Sequence, residues 1–159
     1  GYRIPSQIME LADKVMLAAT PGLRAPRSVR DGDELPIITS TSSQTEMFNA
    51  VIARSEELSS RDGRAAIICP DYMVDDMSEA LTAANMKHGR AQSAGLDQGL
   101  SIVPASLAKG LELDDTIVVE PAAIVADDPQ GLRLLYVTLT RSTRSLAVVH
   151  SLPLPESMR

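Results

Sequence analysis

The sequence predicts an α/β domain, a parallel sheet of about five strands with helices on both faces. Short runs such as Ala65 to Cys69 and Thr116 to Val119 are apolar almost throughout and rich in β-branched residues, as strands buried on both faces must be. Stretches with apolar residues at helical spacing alternate with these runs. That alternation implies parallel strands joined by helical crossovers. Size agrees: 159 residues with 44% hydrophobic content make one domain with a real core. Aromatic residues are only 3% and Trp is absent, so that core is aliphatic.

The elements follow in order. Ile8, Leu11, Ala12, Val15, Met16 and Ala19 recur at helical spacing and predict a helix over 6–19, with Pro5 tolerable in its first turn and Thr20-Pro21-Gly22 ending it. Residues 21–34 hold three Arg, two Pro and two Gly, a long loop or weak edge strand. Ile37 to Thr39 is a short strand. Ser43-Gln44-Thr45-Glu46 is a capping-box pattern opening a helix with Met47, Ala50, Val51 and Leu58 on one face. Asp62-Gly63 is a turn before the strand at 65–69. Val74, Met77, Leu81 and Ala84 mark the next helix, closed near Gly89, and residues 89–99 read as a Gly-rich mobile loop. Strands are predicted at 101–105, 116–119 and 146–149, a helix at 130–142 from Leu132, Leu135, Tyr136 and Leu139, and a tail from Pro153.

Composition narrows the function classes. The formal net charge is -6. A free-standing nucleic-acid-binding domain is usually basic, because phosphate contacts supply most of its affinity. Any such contact here is local, or is supplied by another part of a larger protein. The lone Cys69 excludes a disulfide within the chain, which fits a reducing, cytoplasmic setting, and its apolar run marks it as a small buried hydrophobe. No run approaches the ~20 apolar residues of a membrane span. His88, His150 and Cys69 fit no metal spacing, and Asp75-Asp76 and Asp114-Asp115 read as solvated charges at element edges.

Three segments have chemistry to offer. Tyr2-Arg3 precedes the first helix, and an aromatic beside a guanidinium can stack on a base and grip a phosphate. In Lys109-Gly110-Leu111-Glu112, Gly110 permits a tight turn or close backbone approach, and Glu112 can accept from a ribose hydroxyl or orient an arginine. In Leu134 to Ser142, Arg141 follows an apolar helix. There it serves either as a finger on a neighbouring phosphate or as a complement to the helix dipole.

The order Tyr-Arg, Lys-Gly-Leu-Glu, Leu-Tyr-Val-x-Leu-Thr-Arg closely resembles motifs four, five and six of the superfamily-one helicases of the UvrD/Rep type. The resemblance covers nearly the whole chain. It implies that residues 1–159 form a single C-terminal RecA-like domain, the second lobe of a P-loop NTPase and a fragment of a larger protein. ATP and Mg²⁺ would be held against a first lobe that carries the phosphate loop. No Gly-x-x-x-x-Gly-Lys-Ser/Thr pattern occurs in these residues, so the chain by itself is expected to be inactive and to hold no cofactor.

On the same resemblance, Tyr2 stacks on adenine, Arg3 reaches the γ-phosphate, Gly110 and Glu112 lie near the ribose, and Arg141 is the finger, with Arg3 and Arg141 the catalytic pair. All are expected at one exposed edge, at the carboxyl ends of the strands, and poorly fixed. Thr140 and Tyr136 fall in the same motif as packing residues. The sequence departs from the family at Pro104 and Ser106, where Thr and His are usual, and Gly1 stands where the family has Asn. The form Val-Pro-Ala-x-Leu-x-Lys-Gly-Leu-Glu is more similar to the HelD-like branch, whose members act on RNA polymerase. DNA and RNA polymerase are therefore both implied partners. The alternative is a non-catalytic interaction module of such a recycling factor.

Overall fold

The computed structural model describes residues 4–19, 29–30, 34–91 and 99–159. Its main sheet has six strands, all parallel: β3 (Ile37–Ser40), β4 (Ala65–Cys69), β5 (Gly89–Arg90), β6 (Leu100–Pro104), β7 (Leu113–Val119) and β8 (Ser142–His150). Their spatial order is β3-β8-β7-β4-β6-β5. A separate parallel pair joins β1 (Ile4–Pro5) to β2 (Val29–Arg30), and β1 lies against β8. The helices are α1 (Ser6–Ala19), α2 (Gln44–Ser59), α3 (Val74–Ala83), α4 (Pro121–Ala126) and α5 (Gly131–Leu139).

Strand alternation sorts the core into two layers. Ile68, Val103, Val118 and Val148 turn to one face and meet Ile8, Val15, Leu135 and Leu139 of α1 and α5. Ile67, Ile102, Ile117 and Val149 turn to the other and meet Met47, Val51, Met77 and Leu81 of α2 and α3. The expected parallel sheet with helices on both faces is what the chain forms. Cys69 is buried as expected, and burial, with the nearby Asp71 charge, pushes its thiol up to about 12. Such a thiol is no nucleophile at neutral pH.

Local chemistry explains the helix ends. Ser43 accepts from the Glu46 amide at 3.1 Å and caps α2 as its sequence pattern predicts. The Glu46 carboxylate reaches back to the amide of Ser42 at 2.7 Å and also accepts from the Ser42 hydroxyl, one residue earlier than the ideal box. Gly131 opens α5 where a Cβ would stand 2.0 Å from the carbonyl oxygen of Val125, so the α4–α5 corner is closed to any side chain.

Several boundaries differ from expectation. Among the described residues the main sheet has six strands rather than five, because β5 is two residues long and leaves no periodic trace. Pro5 belongs to β1, not to the first turn of α1. The helix expected over 130–142 stops at Leu139, and β8 begins at Ser142, so Arg141 stands in the turn between them. Strand β7 starts at Leu113, three residues earlier than its apolar run suggests, because Leu113 and Asp115 pair with β8 across an irregularity at Asp114. Residues 92–98 of the expected mobile loop lie outside the described residues.

The Asp114-Asp115 pair is not a pair of solvated charges. Asp114 accepts from the Arg64 amide at 2.8 Å. Asp115 is 1% exposed. Its carboxylate accepts from Arg144 Nε at 3.1 Å and Nη2 at 2.5 Å and from the Ser145 hydroxyl at 2.5 Å, with Arg61 Nη1 at 3.5 Å. Arg61 in turn holds Glu34 by a two-pronged pair at 2.9 and 3.0 Å. The buried Arg54 donates to Ser145 at 3.3 Å and pairs with Glu57 at 3.3 Å. Burial alone would raise the Asp115 carboxyl, but the Arg144 and Ser145 hydrogen bonds and the Arg144 and Arg61 charges outweigh it and hold the group below the usual aspartate range.

Asp115→Asn is expected to lower stability by roughly 2–3 kcal/mol at neutral pH. That is near the lower end for breaking a buried pair, because Arg144 and Arg61 keep partial access to water. The folded carboxyl titrates below its unfolded value, near about 3.9. Its contribution is therefore fully present above that value and lost as pH falls through the folded one. Urea midpoints of the parental chain and Asp115→Asn should differ clearly at pH 7 and draw together as pH falls below the unfolded value and through the folded one.

Candidate functional site

A parallel sheet has two unlike edges, and the sequence-predicted residues that the structure describes fall at the one where they were not expected. Glu112 immediately precedes β7 and Arg141 immediately precedes β8. Adjacent strands bring the two together: Leu113 pairs with Ser142, and the Leu113 amide donates to the Arg141 carbonyl at 3.1 Å. They meet at the amino ends of the strands, not at the carboxyl ends where they were expected. The reason is the short stretch from Ala105 to Glu112. It leaves the carboxyl end of β6, passes β4 and enters β7 at the opposite edge, without the helix that a parallel crossover usually needs.

That stretch is built from successive tight turns. The Ala108 amide bonds to the Ala105 carbonyl at 3.1 Å, and the Leu111 amide to the Ala108 carbonyl at 3.2 Å. Ala105 and Ala108 are buried under α5, which pins the backbone. Gly110 has φ +84, with no atom near the place a Cβ would take. The turn conformation, rather than crowding, calls for glycine there. Lys109, Gly110 and Glu112 are exposed.

Arg141 is fixed, contrary to expectation. It is half-buried, and its Nε donates to the Val137 carbonyl at 2.8 Å. Its Nη2 donates to the Thr140 hydroxyl at 3.1 Å. Burial lowers the guanidinium's affinity for its proton by more than the Tyr136 and Glu112 electrostatics raise it. An arginine stays charged throughout the physiological range. Nη1 has no partner among the described residues. Tyr2 and Arg3 lie outside the described residues, while the chain resumes at β1, against the strand that Arg141 leads into.

The carboxyl edge has a different character. The crossover from β4 through α3 lies on one face of the sheet and that from β7 through α4 and α5 on the other, so the topological switch falls between these neighbouring strands. Open α/β sheets commonly bind ligands there. In this chain the polar groups on either side of that gap are committed to partners away from it. Asp71, after β4, accepts from the Ser106 amide at 3.1 Å and from the Ser106 hydroxyl. Glu120, after β7, is 3% exposed and adopts a left-handed backbone, φ 53. It accepts from the Ser151 amide at 3.0 Å, the Ser151 hydroxyl at 2.6 Å and the Leu152 amide at 2.9 Å. A cavity of about 60 Å³ at this edge is lined by Asp71, Asp127 and Asp128 among others. Three carboxylates in so small a space repel a phosphate.

Sequence reading missed the Thr140 hydroxyl as a ligand of Arg141 and the whole Asp115 network. For the second the signal was faint, since Asp114 and Asp115 border the apolar run instead of lying inside it. For the first there was none, because Thr140 looks like any helix-end threonine. Among the described residues no group of His, Cys, Asp and Glu is placed to hold a metal ion, and no helix is long and apolar enough to cross a membrane.

No family model matches the chain, and no curated protein sequence does. Solved structures do. The C-terminal domain of a possible DNA helicase from Lactobacillus plantarum WCFS1 superposes with a TM-score of 0.79, covering 99% of this chain and 92% of that one at 23% identity. The arterivirus nonstructural protein 10, a helicase, matches in its complex with DNA at a TM-score of 0.53 and 12% identity, over 92% of this chain and 34% of that one. A second structure of that helicase gives 0.50 and 13%, over 92% and 33%. The chain thus corresponds to about a third of the viral protein, and it has the RecA-like α/β fold of a helicase C-terminal domain.

Proposed function

We infer that residues 1–159 are the C-terminal motor lobe of an ATP-dependent helicase- or translocase-like protein. The lobe supplies Arg141 as a finger to ATP and Mg²⁺ held against a first lobe of the same protein. The observation that carries this reading is the Glu112–Arg141 edge. A cation fixed by its own helix, with one nitrogen unengaged among the described residues, stands beside an exposed carboxylate and a glycine turn. The donor set suits a nucleotide: Arg141 for the phosphate end, Glu112 for a ribose hydroxyl, and Gly110 for close backbone approach. A guanidinium already oriented needs little reorganisation as charge builds on the γ-phosphate. Tyr2 and Arg3 complete the set on the resemblance of their motif, as the adenine platform and a second catalytic cation.

The acidic carboxyl edge favours DNA contact that is weak or indirect for this lobe. That same edge, with Ser106 committed to Asp71, is the ground for a second reading in which the lobe belongs to a HelD-like factor that acts on RNA polymerase. The two readings share the ATP chemistry unless the lobe is a purely structural module, in which case Arg141 has no role in turnover.

In the protein that carries this chain, Arg141→Ala should lower ATP turnover by about 10³- to 10⁵-fold, with the melting temperature close to parental. Arg141→Lys should recover little, because an ammonium cannot reproduce the planar fork. Turnover and melting measured on the same variants decide the matter; normal turnover in Arg141→Ala removes the finger.

This chain alone is expected to hydrolyse no ATP and to bind single- or double-stranded DNA at about 10⁻⁴ M or weaker at physiological salt. Steady-state turnover and fluorescence anisotropy on the purified chain test both. Sub-micromolar DNA affinity would overturn the account of the acidic edge.

A further inference from the structure

Thr140 is 6% exposed, and its hydroxyl makes three contacts. Its oxygen lies 3.0 Å from the Tyr136 carbonyl and 3.2 Å from the Val137 carbonyl, and it receives Arg141 Nη2 at 3.1 Å. A hydroxyl has one proton and two lone pairs. Both carbonyls can only accept, so the proton goes to the helix and the oxygen must act as acceptor toward Nη2. Arg141 Nε is bonded to Val137 at the same time, at 2.8 Å. Two bonds along one edge of a planar group fix the plane itself, whereas one bond would leave it free to swing.

We propose that Thr140 is a positioning residue for the reaction inferred above: its hydroxyl latches the Arg141 guanidinium to the last turn of α5. The latch leaves Nη1 and the second Nη2 proton for a phosphate. The proposal rests on the finger reading of Arg141, but the latch can be measured independently of it. The hydroxyl is the active element, so Ser should serve in place of Thr while the near-isosteric Val should not.

Two measurements separate the possibilities. In this chain, nitrogen-edited NMR should show hindered rotation about the Arg141 Cζ–Nε bond, seen as distinct Nη1 and Nη2 signals. Thr140→Val should merge them and Thr140→Ser should keep them. In the protein that carries the chain, Thr140→Val should lower kcat for ATP by about 10- to 100-fold, the scale of a small misplacement of a reacting group. The KM should stay the same, and Thr140→Ser should remain near parental. Should Thr140→Val fail to fold, Thr140→Ala against Thr140→Ser carries the same comparison. If Arg141→Ala turns over normally, the finger reading falls and the catalytic role of Thr140 with it. If Arg141→Ala is impaired but Thr140→Val is not, the Thr140 proposal alone is overturned. Equal losses in the Val and Ser variants, or unchanged Arg141 signals in Thr140→Val, overturn it as well.

Discussion

A buried carboxylate at the amino end of β7 holds the working edge of this domain together. Asp115 takes hydrogen bonds from Arg144 and Ser145 of β8 and an ion pair from Arg61, at the end of the segment that follows α2. It thereby joins two neighbouring strands to the turn beside them. Arg144 also donates to the Asp62 carbonyl at 2.8 Å, so the Asp62-Gly63 turn is drawn into the same knot. The strand register shifts between Leu113 and Asp115. An irregular ladder of that kind loses part of its own hydrogen bonding, and the charge network sits where it makes up the loss. Glu112 and Arg141 flank this irregular stretch, so their spacing is only as firm as the Asp115 contacts behind it.

The fold was legible wherever periodicity had room to show. β4 reads as a strand because Ala65 to Cys69 is apolar throughout, and it is buried at every position. The cap of α2 was visible in Ser43 and Glu46 because a capping box is a local contract between residues three apart. β5 was illegible for the opposite reason: two residues cannot express a period of two. The early start of β7 was hidden because Asp114 and Asp115 look like loop residues until Arg144 and Arg64, far along the chain in either direction, are seen beside them. The candidate site was legible as a set of motifs, not as a geometry. Glu112 and Arg141 do come together, but which edge they share depends on the path of Ala105 to Glu112, and nothing in those residues announces a crossover without a helix.

The two edges have opposite duties. At the carboxyl edge, polar groups are spent on one another: Ser106 on Asp71, and Ser151 and Leu152 on Glu120. At the amino edge, donors and acceptors are left partly unspent, with Arg141 Nη1 and Glu112 the chief examples among the described residues. An oriented but incompletely satisfied group is costly unless something completes it. The contrast is why the reading places the nucleotide between this edge and a second lobe, rather than in the crevice that open sheets ordinarily use.

Glu120 meets two demands that few residues can satisfy together. Its left-handed backbone favours glycine, asparagine or aspartate, while three donors from Ser151 and Leu152 require a carboxylate long enough to span to the tail. Glycine relieves the backbone and abandons the donors. Aspartate keeps the charge on a stem one methylene shorter. Glutamine keeps the length and could turn its amide nitrogen to the Ser151 hydroxyl, but it gives up the charge that strengthens all three bonds. The alphabet permitted at this position is therefore close to a single letter. Among chains that share this tail, drift should pass over Glu120 on these structural grounds alone.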